Sequence, residues 1–457
     1  MIDIIGFNIL RKRITMTPTQ IIVIGFASMI LFGTLLLNMP MASKDGQPVG
    51  FINALFTATS SVCVAGMNVV DTGRHWTVFG QVVIALLIQI GGLGIMTMST
   101  SLALLTGRRI TLKERILIQE SLNQFDLEGL VRLTKNIIIT TLAIEFIGAA
   151  IYSMIFITEY GTLKGIAFGV FHSISTFCNA GVEIIGDYRG FTPYVNNYVF
   201  NINAMVLIII GGLGFSVWQD IIQVFKGKSF KSISLHSKIV LSATAVLILS
   251  GALFIFILEF GNPNTLKNLP FPAKVVTAFF HSVSPRTAGI NTLDMTAMTT
   301  PTKFLTMILM FIGGSPGSVA GGIKTATAAI LVITVIAAVK GKEDPEIFER
   351  HIPKYLVYRA MAVTVISLSM VILVTMILSI TETADFMTLL FESTAAFSTA
   401  GLTLNFTPHL SGIGKVILII TMFIGRVGPL TIVIALAKRA TGNKGNLKYP
   451  EERILVG

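Results

Sequence analysis

Four short segments carry the residue types best suited to handling an ion. They are Val64-Ala65-Gly66, Asn179-Ala180-Gly181, Thr287-Ala288-Gly289 and Thr399-Ala400-Gly401. None of these twelve residues is Asp or Glu, and a Ca²⁺ site would be expected to supply carboxylates. What recurs is glycine after alanine. Glycine allows an extended backbone at strained or positive φ, with its carbonyls aimed inward. Rings of backbone carbonyls replace the hydration shell of a monovalent cation without burying a fixed charge. The chemistry these segments imply is therefore main-chain coordination of a monovalent ion. The residues just upstream, Cys63, Cys178, Arg286 and Ser398, are expected at the inner end of such a filter or behind it.

Each segment ends a moderately apolar stretch that opens with a phenylalanine ten residues before the glycine: Phe56, Phe171, Phe279 and Phe391. The four glycines stand 115, 108 and 112 residues apart, which marks a fourfold internal repeat. A stretch of about 12 residues is too short to span a bilayer and reads as a re-entrant helix. Its C-terminal end carries roughly half a negative charge, which favours a cation. Non-helical backbone at membrane depth is tolerated where it lines a polar cavity or is buried in protein. A glycine pair or its variant follows 24–30 residues later: Gly91-Gly92, Gly211-Gly212, Gly313-Gly314 and Gly425-Arg426. For the first two pairs, close helix packing is a sufficient reason.

The elements that must position these segments are membrane spans. The chain has 457 residues, 53% apolar and only 12% charged. Eight stretches are long and apolar enough to cross: Ile21–Met39, Val82–Leu105, Ile137–Ile157, Tyr198–Trp218, Ile239–Leu258, Phe304–Val339, Ala360–Ile380 and Val416–Leu436. Phe304–Val339 is too long and too glycine-rich for one helix, so a break is expected there. The first span reads as a retained helix and not as a cleaved signal. The net charge of +11 is placed in alternate connections, which puts both termini and every second loop in the cytoplasm. The basic excess is thus a topology signal, and nucleic acid is not an expected partner. Span, re-entrant helix, glycine segment and span recur over 1–106, 107–230, 231–342 and 343–457. The expected fold is an all-α membrane protein of four tandem helix–pore-helix–helix repeats, pseudo-fourfold around a central pore and K⁺-channel-like.

Two places break the repeat and read as control elements. Gly313, Gly314, Ser315, Pro316, Gly317, Ser318, Gly321 and Gly322 cannot form a regular helix, and Lys324 follows them. They read either as a loop obstructing the path or as a plain kink. Arg426 replaces the second glycine of the fourth pair. It reads as an electrostatic barrier beneath the filter or as half of an ion pair within the bundle. Glu145 reads as an interhelical hydrogen-bonding residue, and Glu392 as an acid at the start of a re-entrant helix. Lys324 is expected at the cytoplasmic mouth or the interface. His172 and His281 read as satisfied polar residues, and the only cysteines, Cys63 and Cys178, as packed thiols. An enzyme is disfavoured: Ser318 has no histidine in a neighbouring span to activate it, and no Gly-Lys-Ser/Thr phosphate loop occurs.

At this point the chain resembles a known group. The four Ala-Gly segments, the stretch Gly313–Thr325 and the stretch Gly425-Arg-Val-Gly-Pro429 together resemble the Trk/Ktr/HKT superfamily of K⁺ transporters. The compact size and short N-terminus resemble most the membrane subunit of the bacterial Ktr system. The resemblance implies K⁺ as the transported ion, held at the filter carbonyls, and the intramembrane loop and Arg426 as the gate. It also implies a homodimer with one pore per subunit in the cytoplasmic membrane. A cytoplasmic RCK-type ring, KtrA, would bind nucleotide in place of this chain. A Na⁺/K⁺ symporter with obligatory coupling is the alternative.

Overall fold

The computed structural model describes residues 18–94, 97, 115–116, 119, 130–227, 229, 232–342, 344–429 and 431–432. The basic clusters at Arg11–Arg13, Arg108–Lys113 and Lys438–Lys448, and the ends of the second and eighth expected spans, lie outside the described residues.

The described chain is helical, with one departure from the all-α expectation, a two-stranded hairpin of Glu346–Ile347 with Arg350–His351. Among the described residues, four helices are long and apolar enough to cross a membrane: α1 (Pro18–Leu37), α5 (Leu130–Tyr160), α9 (Leu235–Glu259) and α13 (Lys354–Thr381). Their outward faces expose large apolar side chains such as Leu31, Phe146, Leu253 and Met376. Exposed apolar surface on that scale belongs against lipid. Four shorter helices turn largely buried C-terminal halves inward: α2 (Phe51–Val62), α6 (Thr162–Phe177), α10 (Phe271–Val283) and α14 (Phe386–Ser398). Every residue of α2 from Phe56 to Val62 is buried, and so is every residue of α14 from Phe391 to Ser398.

After the single turn α3 (Thr72–His75), a second set of four comprises α4 (Val78–Leu93), α7 (Tyr198–Leu213), α11 (Thr300–Phe311) and α15 (Gly412–Val427). Three begin on matching side-chain caps. Thr77 accepts from the Gly80 amide, Asn197 from Phe200 and Ser411 from Gly414.

This second set corrects the expected spans. A break was expected only in Phe304–Val339, yet all four helices stop within 12 to 16 residues. Three stop at a glycine with positive φ: Gly94 (86°), Gly214 (93°) and Gly428 (96°). At Gly214 the chain turns by 106° into α8 (Phe215–Phe225), so Tyr198–Trp218 is not one helix. The fourth, α11, stops at Ile312, and helix resumes only at α12 (Thr325–Val339).

The glycine pairs explain how the two helix sets approach. A methyl group on Gly91 would lie 2.0 Å from the Val62 carbonyl oxygen, at the end of α2. Gly211 stands in the same relation to Phe177 at 2.1 Å, and Gly425 to Phe397 at 1.9 Å. Only glycine leaves room for such backbone contact. Packing therefore accounts for the fourth pair as well as the first two. Gly313 differs, because its added methyl would meet Gly321 of its own loop at 2.3 Å.

Candidate functional site

The four Ala-Gly segments each leave the C-terminal end of a buried short helix. Their backbones repeat the same unusual conformation. Val64, Asn179, Thr287 and Thr399 have φ of 57°, 57°, 76° and 51°, and Gly66, Gly181, Gly289 and Gly401 have 69°, 67°, 68° and 81°. Left-handed φ at a Val or Thr is costly for a β-branched side chain. It persists because main-chain bonds hold it. Ala65 donates to Ser60, Ala180 to Ser175 and Ala400 to Ala395, at 2.7, 2.7 and 2.9 Å.

The segments meet one another in chain order. A methyl group on Gly66 would lie 2.4 Å from the Ala180 carbonyl oxygen. One on Gly181 would lie 2.5 Å from that of Ala288, and one on Gly289 2.4 Å from that of Ala400. One on Gly401 would lie 2.8 Å from that of Ala65, which returns the series to its start. All four glycines line one cavity of about 240 Å³, with Asn68, Glu183, Asn291 and Thr403 around it. Cys63, Cys178, Arg286 and Ser398 are buried behind the segments. Both cysteines are free thiols, and Cys178 Sγ lies 3.8 Å from a carboxylate oxygen of Glu145. Glu145 also accepts from Gln89 Nε2 at 3.2 Å, joining α5 to α4. Among the described residues Arg286 reaches only Thr244, through Nη2 at 3.3 Å, and its Nε has no partner there.

The broken helix folds back against the same place. Ser315 N and Val319 N donate to the Gly212 and Gly211 carbonyls at 2.9 and 3.4 Å, and Phe215 N donates to Gly317. A methyl on Gly321 would lie 2.1 Å from the Thr399 hydroxyl, and one on Gly313 3.0 Å from the Thr287 methyl. The loop thus touches the third and fourth Ala-Gly segments directly. It is closed on itself by Ser315–Thr325, Thr325 N to Gly314 O, and Ser318. The Ser318 hydroxyl donates to Ser315 O at 2.7 Å and accepts from Ala320 N, so it serves the loop's own fold. The Lys324 amine bends back to the Ala320 carbonyl. The turn at Pro316 sits over Gly214, whose added methyl would meet the Pro316 carbonyl at 2.6 Å, and Gly322 completes the loop at φ 67°.

Arg426 is the strap across this arrangement. Its guanidinium donates to the carbonyls of Val319 and Gly91, and to Gly92 at 3.3 Å. Its hydrogen-bond partners are main-chain oxygens, where the bundle ion pair would have needed a carboxylate.

Two expectations drawn from the sequence need correcting. Glu392 does not start its helix. Asp385 caps α14, accepting from Thr388 N, and Glu392 stands seven residues in. There it accepts from Thr403 Oγ1, Thr407 Oγ1 and Leu404 N, beyond the glycine. The third segment is also one residue shorter than the others. Its Ala288 bonds to a carbonyl four residues back, at Ser284, where the others reach five back. The buried phenylalanine is accordingly Phe280, while Phe279 is half-exposed. Sequence spacing missed this because adjacent phenylalanines satisfy either register.

Residues 9–445 match the TrkH family, described as cation transport proteins. The chain is 42% identical to the Ktr system potassium uptake protein B of Bacillus subtilis, over 98% of each protein. It is also 42% identical to the potassium/sodium uptake protein NtpJ of Enterococcus hirae, over 98% of this chain and all of that one. The fold matches the crystal structure of the potassium transporter TrkH from Vibrio parahaemolyticus with a TM-score of 0.73 at 17% identity. That match covers 94% of this chain and 87% of the other. The chain belongs to the TrkH family of membrane cation transport proteins and is not an enzyme.

Proposed function

We propose that this chain takes up K⁺ across the bacterial cytoplasmic membrane, as the membrane subunit of a Ktr-type system. The four Ala-Gly segments are its selectivity filter, arranged pseudo-fourfold about a pore built from four repeats. The observation that carries this reading is the cyclic contact of each glycine with the next segment's alanine carbonyl. A closed ring of inward carbonyls at the negative ends of four short helices is an electrostatic site for one partly dehydrated cation. The absence of carboxylates among the filter residues favours a monovalent ion.

The loop Gly313–Thr325 is the gate beneath this ring, and Arg426 adds a positive charge under it while holding the loop shut. The chain forms a homodimer, keeps both termini in the cytoplasm, and takes its nucleotide control from a KtrA-like ring. Relatives named as parts of a Ktr system support that partner. The relative named for potassium and sodium uptake favours a second reading, in which Na⁺ is coupled to K⁺ entry. Uptake of ⁸⁶Rb⁺ into proteoliposomes, with and without an inward Na⁺ gradient, tests both. Rb⁺ uptake without Na⁺ supports a pore, uptake only with the Na⁺ gradient supports coupling, and none in either case overturns the proposal.

A further inference from the structure

The main-chain bonds that hold the filter bends also fix how the four short helices correspond. Ser60, Ser175, Ser284 and Ala395 are the acceptors of those bonds. Three residues earlier stand Thr57, His172, His281 and Glu392, all buried. Three of these four reach across to the chain that leaves the filter. His172 Nδ1 meets the Phe168 carbonyl at 2.7 Å, and a carbonyl only accepts, so Nδ1 carries the proton. Its Nε2 is then the acceptor for Ile184 N at 3.3 Å, three residues past Gly181. His281 Nε2 pairs with Thr292 Oγ1 at 3.2 Å, three residues past Gly289. Glu392 accepts from Thr403 Oγ1 and Leu404 N, two and three residues past Gly401. Thr57 instead bonds its own helix, at Asn53 O.

From this pattern we propose that His172, His281 and Glu392 are positioning residues for ion selection. Each ties a short helix to the outgoing strand of its own segment, and so fixes how far the glycine carbonyls can move from the ion path. In the first segment the residue three past the glycine is the buried, apolar Val69. The bracing is therefore three-sided, and the first segment is left as the most compliant wall of the filter. Serine adds a second tie in the middle two segments: Ser175 Oγ donates to Val182 O at 2.6 Å, and Ser284 Oγ to Ile290 O. Among the described residues the Ser60 hydroxyl has no such partner. A polar side chain left unpaired in a buried site is costly, so each tie resists opening once made.

This inference rests on the filter reading above, and its test keeps the two apart. The partner-side variants Thr292→Val and Thr403→Val preserve shape and remove one hydroxyl each. Glu392→Ala removes the whole brace, and Glu392→Gln restores one acceptor oxygen. Rb⁺-over-Na⁺ selectivity is measured in proteoliposomes at matched amounts of assembled protein, with Thr57→Val as the unbraced control and Gly66→Ser as the filter control. Thr292→Val and Thr403→Val are expected to lower selectivity roughly two- to tenfold, the range of one lost hydrogen bond. Glu392→Gln should recover much of what Glu392→Ala loses, and Thr57→Val should match the parent. If Gly66→Ser alters selectivity while Thr292→Val, Thr403→Val and Glu392→Ala all keep the parent value, the braces do not position the filter and the inference is overturned. If Gly66→Ser also keeps it, the filter reading fails, and this inference with it.

Discussion

Arg426, on the fourth glycine-pair helix, donates to the main-chain carbonyl of Val319 in the loop that interrupts the third. The same guanidinium reaches Gly91 and Gly92 at the end of the first such helix. One side chain thus joins three parts of the chain. A charge in that position costs at least a few kcal/mol in a membrane interior unless it faces a cavity or partners. Three carbonyls are what it has found.

Replacing Arg426 by Gln removes the charge and most of the strap. The expected result is faster K⁺ flux, by severalfold, with assembly intact by size-exclusion chromatography. Arg426→Lys keeps a point charge but cannot present a planar fork to carbonyls of two helices. Its flux should fall between the parent and the Gln variant. A Gln variant that assembles normally but conducts no faster would remove Arg426 from the gate.

Shortening the loop tests the gate from the other partner. Deleting Gly314–Gly321 takes away the segment that lies against Gly211, Gly212 and Thr399. Flux should rise, and the rise should not add to that of Arg426→Gln, because the strap would have lost Val319, its partner in the loop. Unchanged or slower flux in correctly assembled protein argues for a structural kink.

The glycine pairs give a prediction about stability and not transport. Gly91→Ala and Gly425→Ala place a methyl within about 2 Å of a helix-terminal carbonyl, which forces the helices apart. Overpacking of this kind costs about 1–3 kcal/mol. Both variants should melt at lower temperature in detergent, whereas Gly412→Ala, where an added methyl meets nothing, should not. Equal melting of all three would mean the helices are not in backbone contact.

Asp187 links two of the connections between helices. It pairs with Arg189 and with Arg74, and its amide donates to Asp71. Arg189 first, and Arg74 after it, hold the Asp187 carboxyl below the ordinary aspartate value. An acid with a depressed folded pKa contributes stability above its unfolded value, near 4, and loses it as pH falls through the folded one. The difference in melting temperature between the parent and Asp187→Asn should be small, as for exposed pairs generally; it should begin to shrink below about pH 4 and vanish once pH has fallen through the folded value. A difference that persists in acid would assign the effect to packing.

Much of this arrangement could be read from residue types alone. Gly66, Gly181, Gly289 and Gly401 announce themselves because a carbonyl-lined bend needs glycine and recurs four times. Arg426 stands out because a charge interrupts an apolar stretch. Hydropathy could not show that Gly94, Gly214 and Gly428 end their helices, since a turn at glycine leaves the apolar run unbroken. The role of Glu392 was hidden for a different reason. Its partners Thr403 and Thr407 lie beyond the bend at Gly401, and no local pattern ties an acid to hydroxyls 11 and 15 residues on. The shorter third segment was masked by the Phe279-Phe280 pair, which fits both registers.

The central claim is that the ring of glycines and alanine carbonyls selects the ion. Its most direct test is the K⁺-over-Na⁺ selectivity of Gly66→Ser and Gly401→Ser, measured as ion flux in proteoliposomes. Each added side chain would begin 2.4 or 2.8 Å from a neighbouring carbonyl, in a backbone conformation that a side chain rarely adopts. Selectivity should fall by about tenfold, equivalent to ~1.4 kcal/mol of lost discrimination, in both variants. Parent-like selectivity in both, with protein assembled and conducting, would contradict the assignment of these segments as the filter.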